Sequence, residues 1–317
     1  MLGYLIALIA SFIIVYLTMP FFMKLAKRYS FTDKPTERKK HKGAIPLVGG
    51  LGMFVGFSIC YLFFVHDNLE EKISIVVAAF LVLSIGLVDD YYKSRGKEFK
   101  ILPRVVIQLI AANIIYFSGI VFKGVTNPFD GHYILLPILL QYILTITWIF
   151  GVTTVVNWSD GMDGLAGGIT SISATTLFVV ALAMHQYDSA IMCIILVGCI
   201  LAFLRYNRPP AKIFMGDSGA NFLGFLLAII ALDGAFKQAT IMSILIPFLA
   251  LGVPIFDNLF VVFKRFTEGK PVYQADRSQI HYRLQRKGLS TKQVLLCVCL
   301  ISGVLSLISI LIVVLKL

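Results

Sequence analysis

Apolar stretches long enough to cross a bilayer recur along the whole chain, and nothing else in the sequence constrains its fold as tightly. A hydrocarbon core about 30 Å thick is spanned by roughly 20 apolar residues in a helix. Within that core the backbone can satisfy its polar groups only as helices or closed barrels. Ten segments fit, at 2–23, 46–65, 73–88, 104–122, 134–156, 164–184, 188–206, 218–236, 239–263 and 293–315. The third is short and borrows flanking residues, while the second and sixth are glycine-rich and read as bent or partly buried in protein. With 58% hydrophobic and 14% charged residues, no length remains for a separate soluble domain. The expectation is an all-α polytopic membrane protein of about ten transmembrane helices, forming one integral-membrane domain over residues 1–317.

The cations divide sharply. Of 28 Lys and Arg, 24 fall in 24–45, 93–104, 205–212 and 264–292, all on loops that follow odd-numbered segments. Only Lys72, Lys123, Lys237 and Lys316 lie on the other side. The positive-inside rule then puts both termini outside and the basic loops in the cytoplasm. One missed helix would scramble that division. Cytoplasmic cations that orient helices and meet anionic headgroups of the lipid bilayer account for the net charge of +11. Because the basic clusters lack a nucleic-acid fold around them, nucleic acid is set aside as a partner. The first segment has no basic start and no small-residue cleavage site before Lys24, Lys27 and Arg28, so it reads as a span and not as a signal peptide. The five cysteines (Cys60, Cys193, Cys199, Cys297, Cys299) lie inside apolar segments and form neither metal-ligand spacing nor a disulfide framework.

Three acidic motifs adjoin these segments, all on the cytoplasmic face of this topology. Asp89-Asp90 follows the third segment, where a helix C-terminus makes paired carboxylates doubly unfavourable. Mg²⁺, or nearby Lys93, Arg95 and Arg104, would compensate them; solvated charges that merely stop a helix are the bland alternative. Asn157, Asp160 and Asp163 follow the fifth segment in Asn-Trp-Ser-Asp-Gly-Met-Asp-Gly. Spacings of three put them on one face if the region is helical, and a glycine-rich loop would fold the same residues around one ligand. Asp217, in Met215-Gly-Asp217-Ser-Gly219, is either the N-cap of a helix or, beside the other acids, a metal ligand. Carboxylates at a membrane boundary commonly mark an ion or substrate site. Mg²⁺ suits them, since it takes oxygen ligands and uses one or two carboxylates with substrate phosphates. Zinc or copper would call for clustered His and Cys. The five aspartates cannot all be ligands at once.

A basic half comes from two loops. One carries Arg38, Lys39 and His41 and leads through Pro46 to Gly49-Gly50 at the start of a helix. The other carries Arg277, Gln279, His281 and Arg283, and an arginine there binds phosphate bidentately or stacks on a base. His281 is either functional or simply solvated. Asp257, inside the ninth segment, either pairs with a basic neighbour or caps a polar cluster.

Taken together, these residues resemble the polyprenyl-phosphate N-acetylhexosamine-1-phosphate transferases over nearly the whole chain. The branch most similar is the bacterial undecaprenyl-phosphate N-acetylglucosamine-1-phosphate transferases that start teichoic acid, O-antigen and related glycans. That family's Asp-Asp motif matches Gly86–Asp90, and its Asn-x-x-Asp-Gly-x-Asp-Gly-Leu motif matches Asn157–Leu165. Its Gly-Asp-Ser-Gly motif matches Gly216–Gly219, and its early Arg-Lys-x-His…Pro…Gly-Gly loop matches Arg38–Gly50. Four motifs in order on one membrane face are far more specific than any one alone. Two positions depart. Arg104 stands four residues before Gln108 where the family often has Lys, and the branch's His-x-His-His stretch reads Gln279-Ile-His281-Tyr282. The first change keeps the charge; the second bears on sugar identity and nucleotide contacts.

The resemblance implies a Mg²⁺-dependent enzyme of the bacterial cytoplasmic membrane that joins a UDP-N-acetylhexosamine to undecaprenyl phosphate and releases UMP. It also suggests a homodimer. On this reading Asp217 ligates Mg²⁺, with Asp89 a second candidate ligand. Asp89 and Asp90 handle the lipid phosphate, Asp89 being the candidate for any proton transfer, and Asp160 and Asp163 orient the nucleotide and basic side chains. Arg38, Lys39, His41, Gly49, Gly50, Arg104, Asn157, Arg277, Gln279, His281 and Arg283 are the expected substrate contacts. The rivals are the related phospho-N-acetylmuramoyl-pentapeptide transferase, which usually has a denser histidine run, and a nucleotide-sugar or phosphate-compound transporter. Transporters often show inverted repeats and broken helices near the midplane, whereas these polar motifs cluster on one face.

Overall fold

A computed structural model describes residues 1–33, 43–66, 68–127, 132–234, 241–271 and 277–315. Twelve helices account for most of them: α1 (Leu2–Arg28), α2 (Gly49–Phe64), α3 (Leu69–Ser94), α4 (Ile101–Phe117), α5 (Ile138–Trp158), α6 (Leu165–Ala183), α7 (Tyr187–Asn207), α8 (Gly216–Asp233), α9 (Ile241–Ala250), α10 (Gly252–Thr267), α11 (Ile280–Arg286) and α12 (Thr291–Val314). Seven of these, α1, α3, α5, α6, α7, α8 and α12, are long and apolar enough to cross a membrane, and α2 and α4 are shorter apolar helices. The chain is thus a mostly helical, multi-spanning membrane protein. Local signals fit the helix starts. The Asn68 side chain accepts the Glu70 and Glu71 amides to begin α3, and Ser290 with Gln293 forms a capping box on α12.

The all-α expectation needs a small amendment. Two short antiparallel pairs are present, β1 (Thr32–Asp33) with β2 (Ile45–Pro46) and β3 (Gly124–Thr126) with β4 (Tyr133–Leu135). A larger amendment concerns the ninth apolar segment, expected as one span over 239–263. Its described part is two helices broken at Leu251. α9 has ten residues, about 15 Å at helical rise, which is half a hydrocarbon core. Pro247 lies inside α9, and Pro254 sits in the first turn of α10, where a residue lacking an N–H is tolerated.

α8 is the centre of the bundle: every residue from Ser218 to Leu232 is buried, as expected of a helix apolar all round. α2, α3, α5 and α6 pack around it. α1, α5 and α12 form the periphery and leave large apolar side chains such as Leu17, Leu139 and Leu300 exposed, as lipid contact requires. The glycines of α2 and α3 let the bundle close at one end. A side chain at Gly50 would run into the Gly219 backbone, and one at Gly86 into Ser218. The second segment is therefore partly buried in protein, as its composition implies, while Ile59, Leu62 and Phe63 remain exposed. These approaches bring the α2, α3 and α8 ends that carry the motifs into contact.

Candidate active site

The site is built where the C-terminal turns of α3 meet the N-terminal turns of α4 and α8. The third segment was expected to end at Asp89-Asp90, but α3 continues to Ser94. The extra turn sets Lys93 four residues beyond Asp89, the spacing at which helical side chains meet. Lys93 Nζ lies 3.4 Å from Asp89 Oδ2 and 2.5 Å from Asp217 Oδ2. Arg104 Nη1 donates to Asp89 Oδ2 at 2.7 Å and lies 3.6 Å from Asp217 Oδ2. Two carboxylates and two cations from three helices thus form one network. Asp89 is buried, and leaving it without its cations would cost several kcal/mol. Arg95 does not join; its guanidinium stacks 4.6 Å over the Tyr91 ring.

Asp90 does something else. Its Oδ1 accepts the Asp217 amide at 2.8 Å, and its Oδ2 accepts the Ser218 amide at 3.0 Å and the Ser218 hydroxyl at 2.7 Å. Both oxygens thus satisfy the first turn of α8, whose amides have no partner within the helix and whose dipole favours an anion. Asp90 thus caps α8 from a neighbouring helix and anchors its first turn. Gly216, at φ 73°, lies against the Asp90 carboxylate. With the cap supplied from α3, Asp217 is no cap, and its carboxylate turns to Lys93 and Arg104.

The second wall is the glycine-rich loop between α5 and α6. Of the two conformations open to Asn157, Asp160 and Asp163, the loop is the one observed: α5 ends at Trp158 and α6 starts after Gly164, at φ 75°. Asn157 lies in the last turn of α5. Asp163 Oδ2 accepts the Ala211 amide at 3.0 Å, and Asn207 accepts the Gly164 amide at 2.9 Å and donates to the Ile213 carbonyl at 2.8 Å. Asp163 therefore ties the motif to the segment leading into α8. Asp160 is left half-buried within electrostatic reach of the first wall. Burial above all, then the Asp217 and Asp163 carboxylates, pushes its carboxyl up to about 7, against the opposing pull of Lys93.

α11 closes the loop side. His281 is buried, and its imidazole lies on Gly161, where any side chain would run into the ring. Burial lowers its pKa to about 4, so the ring is neutral at pH 7. Its buried Nε2 has no hydrogen-bond partner among the described residues, and such a group calls for a ligand or water. Gln279 is the buried residue before α11.

The other residues expected to contact substrate have the following surroundings. The buried amides of Gly49 and Gly50 donate to the Phe214 and Met215 carbonyls at 3.1 and 3.2 Å, so these glycines pack α2 against the start of α8. Arg277 is exposed. Arg283 donates to Asp257 Oδ1 at 2.8 Å and covers the Phe260 ring at 4.3 Å. Positions 281 and 283 point to opposite sides of a helix, so Arg283 does not gather with His281. Arg38, Lys39 and His41 lie outside the described residues. The ends of their loop are pinned nearby, since Pro46 accepts the Phe214 amide at 2.9 Å. Lys93, expected only as a counter-charge to the Asp89-Asp90 pair and not as a substrate contact, takes that part through its spacing of four from Asp89 and also reaches Asp217. Asn221, which accepts from Gln108 at 3.2 Å across α4 and α8, carried no such local signal.

No group of three or more His, Cys, Asp or Glu side chains forms a metal cluster among the described residues. Magnesium does not require one, because one or two carboxylates with substrate phosphates suffice. Asp89 and Asp217 offer such a pair, and the Lys93 ammonium already lies between them, so the donor set fits a cation.

The profile of glycosyl transferase family 4 matches residues 72–235, a range holding all three acidic motifs. A probable undecaprenyl-phosphate N-acetylglucosaminyl 1-phosphate transferase of Bacillus subtilis (strain 168) is 35% identical over 306 residues, covering 96% of this chain and 84% of that protein. The undecaprenyl-phosphate alpha-N-acetylglucosaminyl 1-phosphate transferase of Escherichia coli (strain K12) is 27% identical over 309 residues, 96% of this chain and 82% of that protein. Its counterpart in Yersinia pestis is 25% identical over 293 residues.

Proposed function

This chain belongs to glycosyl transferase family 4, and from that premise we propose that it transfers N-acetylglucosamine 1-phosphate from UDP-N-acetylglucosamine to undecaprenyl phosphate, releasing UMP. The product would be the first membrane-bound intermediate of a cell-envelope glycan, made at the cytoplasmic face of a bacterial plasma membrane. The basic-loop asymmetry supports that face and outward termini. The observation that carries the reading is the network of Asp89, Lys93, Arg104 and Asp217 beside Asp160, in a chain similar to N-acetylglucosaminyl 1-phosphate transferases over 96% of its length.

In the proposed reaction a lipid-phosphate oxygen attacks the β-phosphorus of the nucleotide sugar. The new oxygen–phosphorus bond forms as the bond from that phosphorus to the bridging oxygen breaks, and the bridging oxygen leaves with UMP. A phosphomonoester has a second pKa near about 6, so the nucleophile is largely ionised at neutral pH. What the reaction needs is positioning and relief of repulsion between two anions. Lys93 and Arg104 supply fixed positive charge there. Asp89 and Asp217 are the residues that would hold Mg²⁺, which when bound screens the pyrophosphate and favours charge leaving with UMP. Asp90 keeps the first turn of α8, and with it Asp217, in place. Asp160 and neutral His281 line the side on which we place the nucleotide sugar.

Purified protein given UDP-N-acetylglucosamine, undecaprenyl phosphate and Mg²⁺ should release UMP only when the lipid is present. Preference for UDP-N-acetylmuramoyl-pentapeptide would contradict the branch, and vesicle uptake of the nucleotide sugar without turnover would replace the enzyme with a transporter.

A further inference from the structure

Of the two roles the sequence leaves open for Asp257, the structure shows pairing with a basic neighbour, Arg283, and adds a bond to the start of α11. Asp257 lies in the second turn of α10, its side chain 8% exposed. Each of its oxygens accepts the Ile280 amide at 2.9 Å, at the first residue of α11, and Oδ1 also takes the Arg283 guanidinium at 2.8 Å. One carboxylate thus holds α11 at its first amide and one turn later. The next residue, Asn258, is buried and takes different partners. Its Nδ2 donates to the Val155 carbonyl at 3.0 Å and lies 3.3 Å from Ser159 Oγ, in the last turn of α5 and at the residue before Asp160. Two adjacent side chains on α10 therefore grip the two segments whose contact places His281 on Gly161.

We propose that Asp257 and Asn258 act as positioning residues that set the register of His281 against the Asp160 loop, and so govern productive binding of the nucleotide sugar. A helix of seven residues has little stability of its own, so its placement must come from such contacts. This inference rests on the proposed reaction only in assigning the nucleotide sugar to the His281 side.

The test is a cycle of Asp257→Ala, His281→Ala and the double variant, with KM and kcat for UDP-N-acetylglucosamine measured separately. Asp257→Asn, which keeps the side-chain volume and one acceptor oxygen, carries the cycle if the alanine variant does not fold. Asp257→Ala should raise KM by about tenfold or more with a smaller change in kcat, as loss of substrate binding does. In the His281→Ala background it should cost less than about threefold, because residues acting through one contact are not additive. Losses that multiply in the double variant, or an unchanged KM, overturn the proposal. Hydrogen exchange gives a readout independent of activity: the Ile280–Arg286 amides should exchange faster in Asp257→Ala, and unchanged exchange also overturns it. If the wild type shows no lipid-dependent UMP release, the assigned reaction fails, while the exchange result still decides whether the clamp exists.

Discussion

Two aspartates, Asp89 on α3 and Asp217 on α8, share the same pair of cations, and their substitutions should separate their roles. Asp217→Asn should lower turnover by about 10²–10³, the cost of removing a charge-stabilising contact, with the loss strongest at low Mg²⁺. Asp89→Asn should be similarly impaired but should still bind UDP-N-acetylglucosamine, because its proposed partner is the lipid phosphate. Wild-type turnover of Asp217→Asn at low Mg²⁺ would reject the assignment. His281 gives a pH prediction. Its pKa is held at about 4 against an ordinary 6.5 because burial disfavours the charged ring, so a released α11 takes up the proton first. The stability His281 contributes is complete above about pH 6.5 and is lost as the pH falls through 6.5 toward 4. Hydrogen exchange in α11 should therefore accelerate, relative to the bundle core, between about pH 7 and 5. His281→Asn should remove that dependence, and identical profiles for both proteins would count against it.

At the scale of the elements, glycines decide how closely the motifs approach. Gly50→Ala would drive a methyl group into the backbone of Gly219, and overpacking of this kind typically costs about 1–3 kcal/mol. Gly303→Ala on α12 meets nothing within 4 Å and should leave the melting temperature nearly unchanged. Comparable melting of the two variants would mean that α2 and α8 are not held at that contact. Much of this level was legible in the sequence, because span length and hydropathy report helices directly: every expected segment contains a helix, although the second and fifth begin in the short strands β2 and β4 and the fourth ends beyond α4. The break at Leu251 was not, since the residues on both sides are apolar and hydropathy does not register a broken helix; Pro247 and Gly252-Val253-Pro254 were the only local signs. The acidic motifs announced a site, but not which aspartate anchors and which remains available. That division depends on partners far away in sequence: Asp90 on the amides of Asp217 and Ser218, Asp163 on Ala211, Asp257 on Ile280.

For the molecule as a whole, one end of the bundle gathers the ends of α3 and α5 with the starts of α4 and α8. If that end faces the cytoplasm, single cysteines introduced at Lys97 and Arg286 should be shielded from an impermeant thiol reagent in intact cells and labelled after lysis. Labelling of both from outside would invert the topology. The central claim is chemical, and it is tested most directly by following UMP release from UDP-N-acetylglucosamine by the purified protein, with and without undecaprenyl phosphate, at a fixed Mg²⁺ concentration. The account predicts release that requires the lipid and falls by about 10² or more in Asp217→Asn. UMP release that ignores the lipid, or no release from a folded protein that binds both substrates, would contradict it.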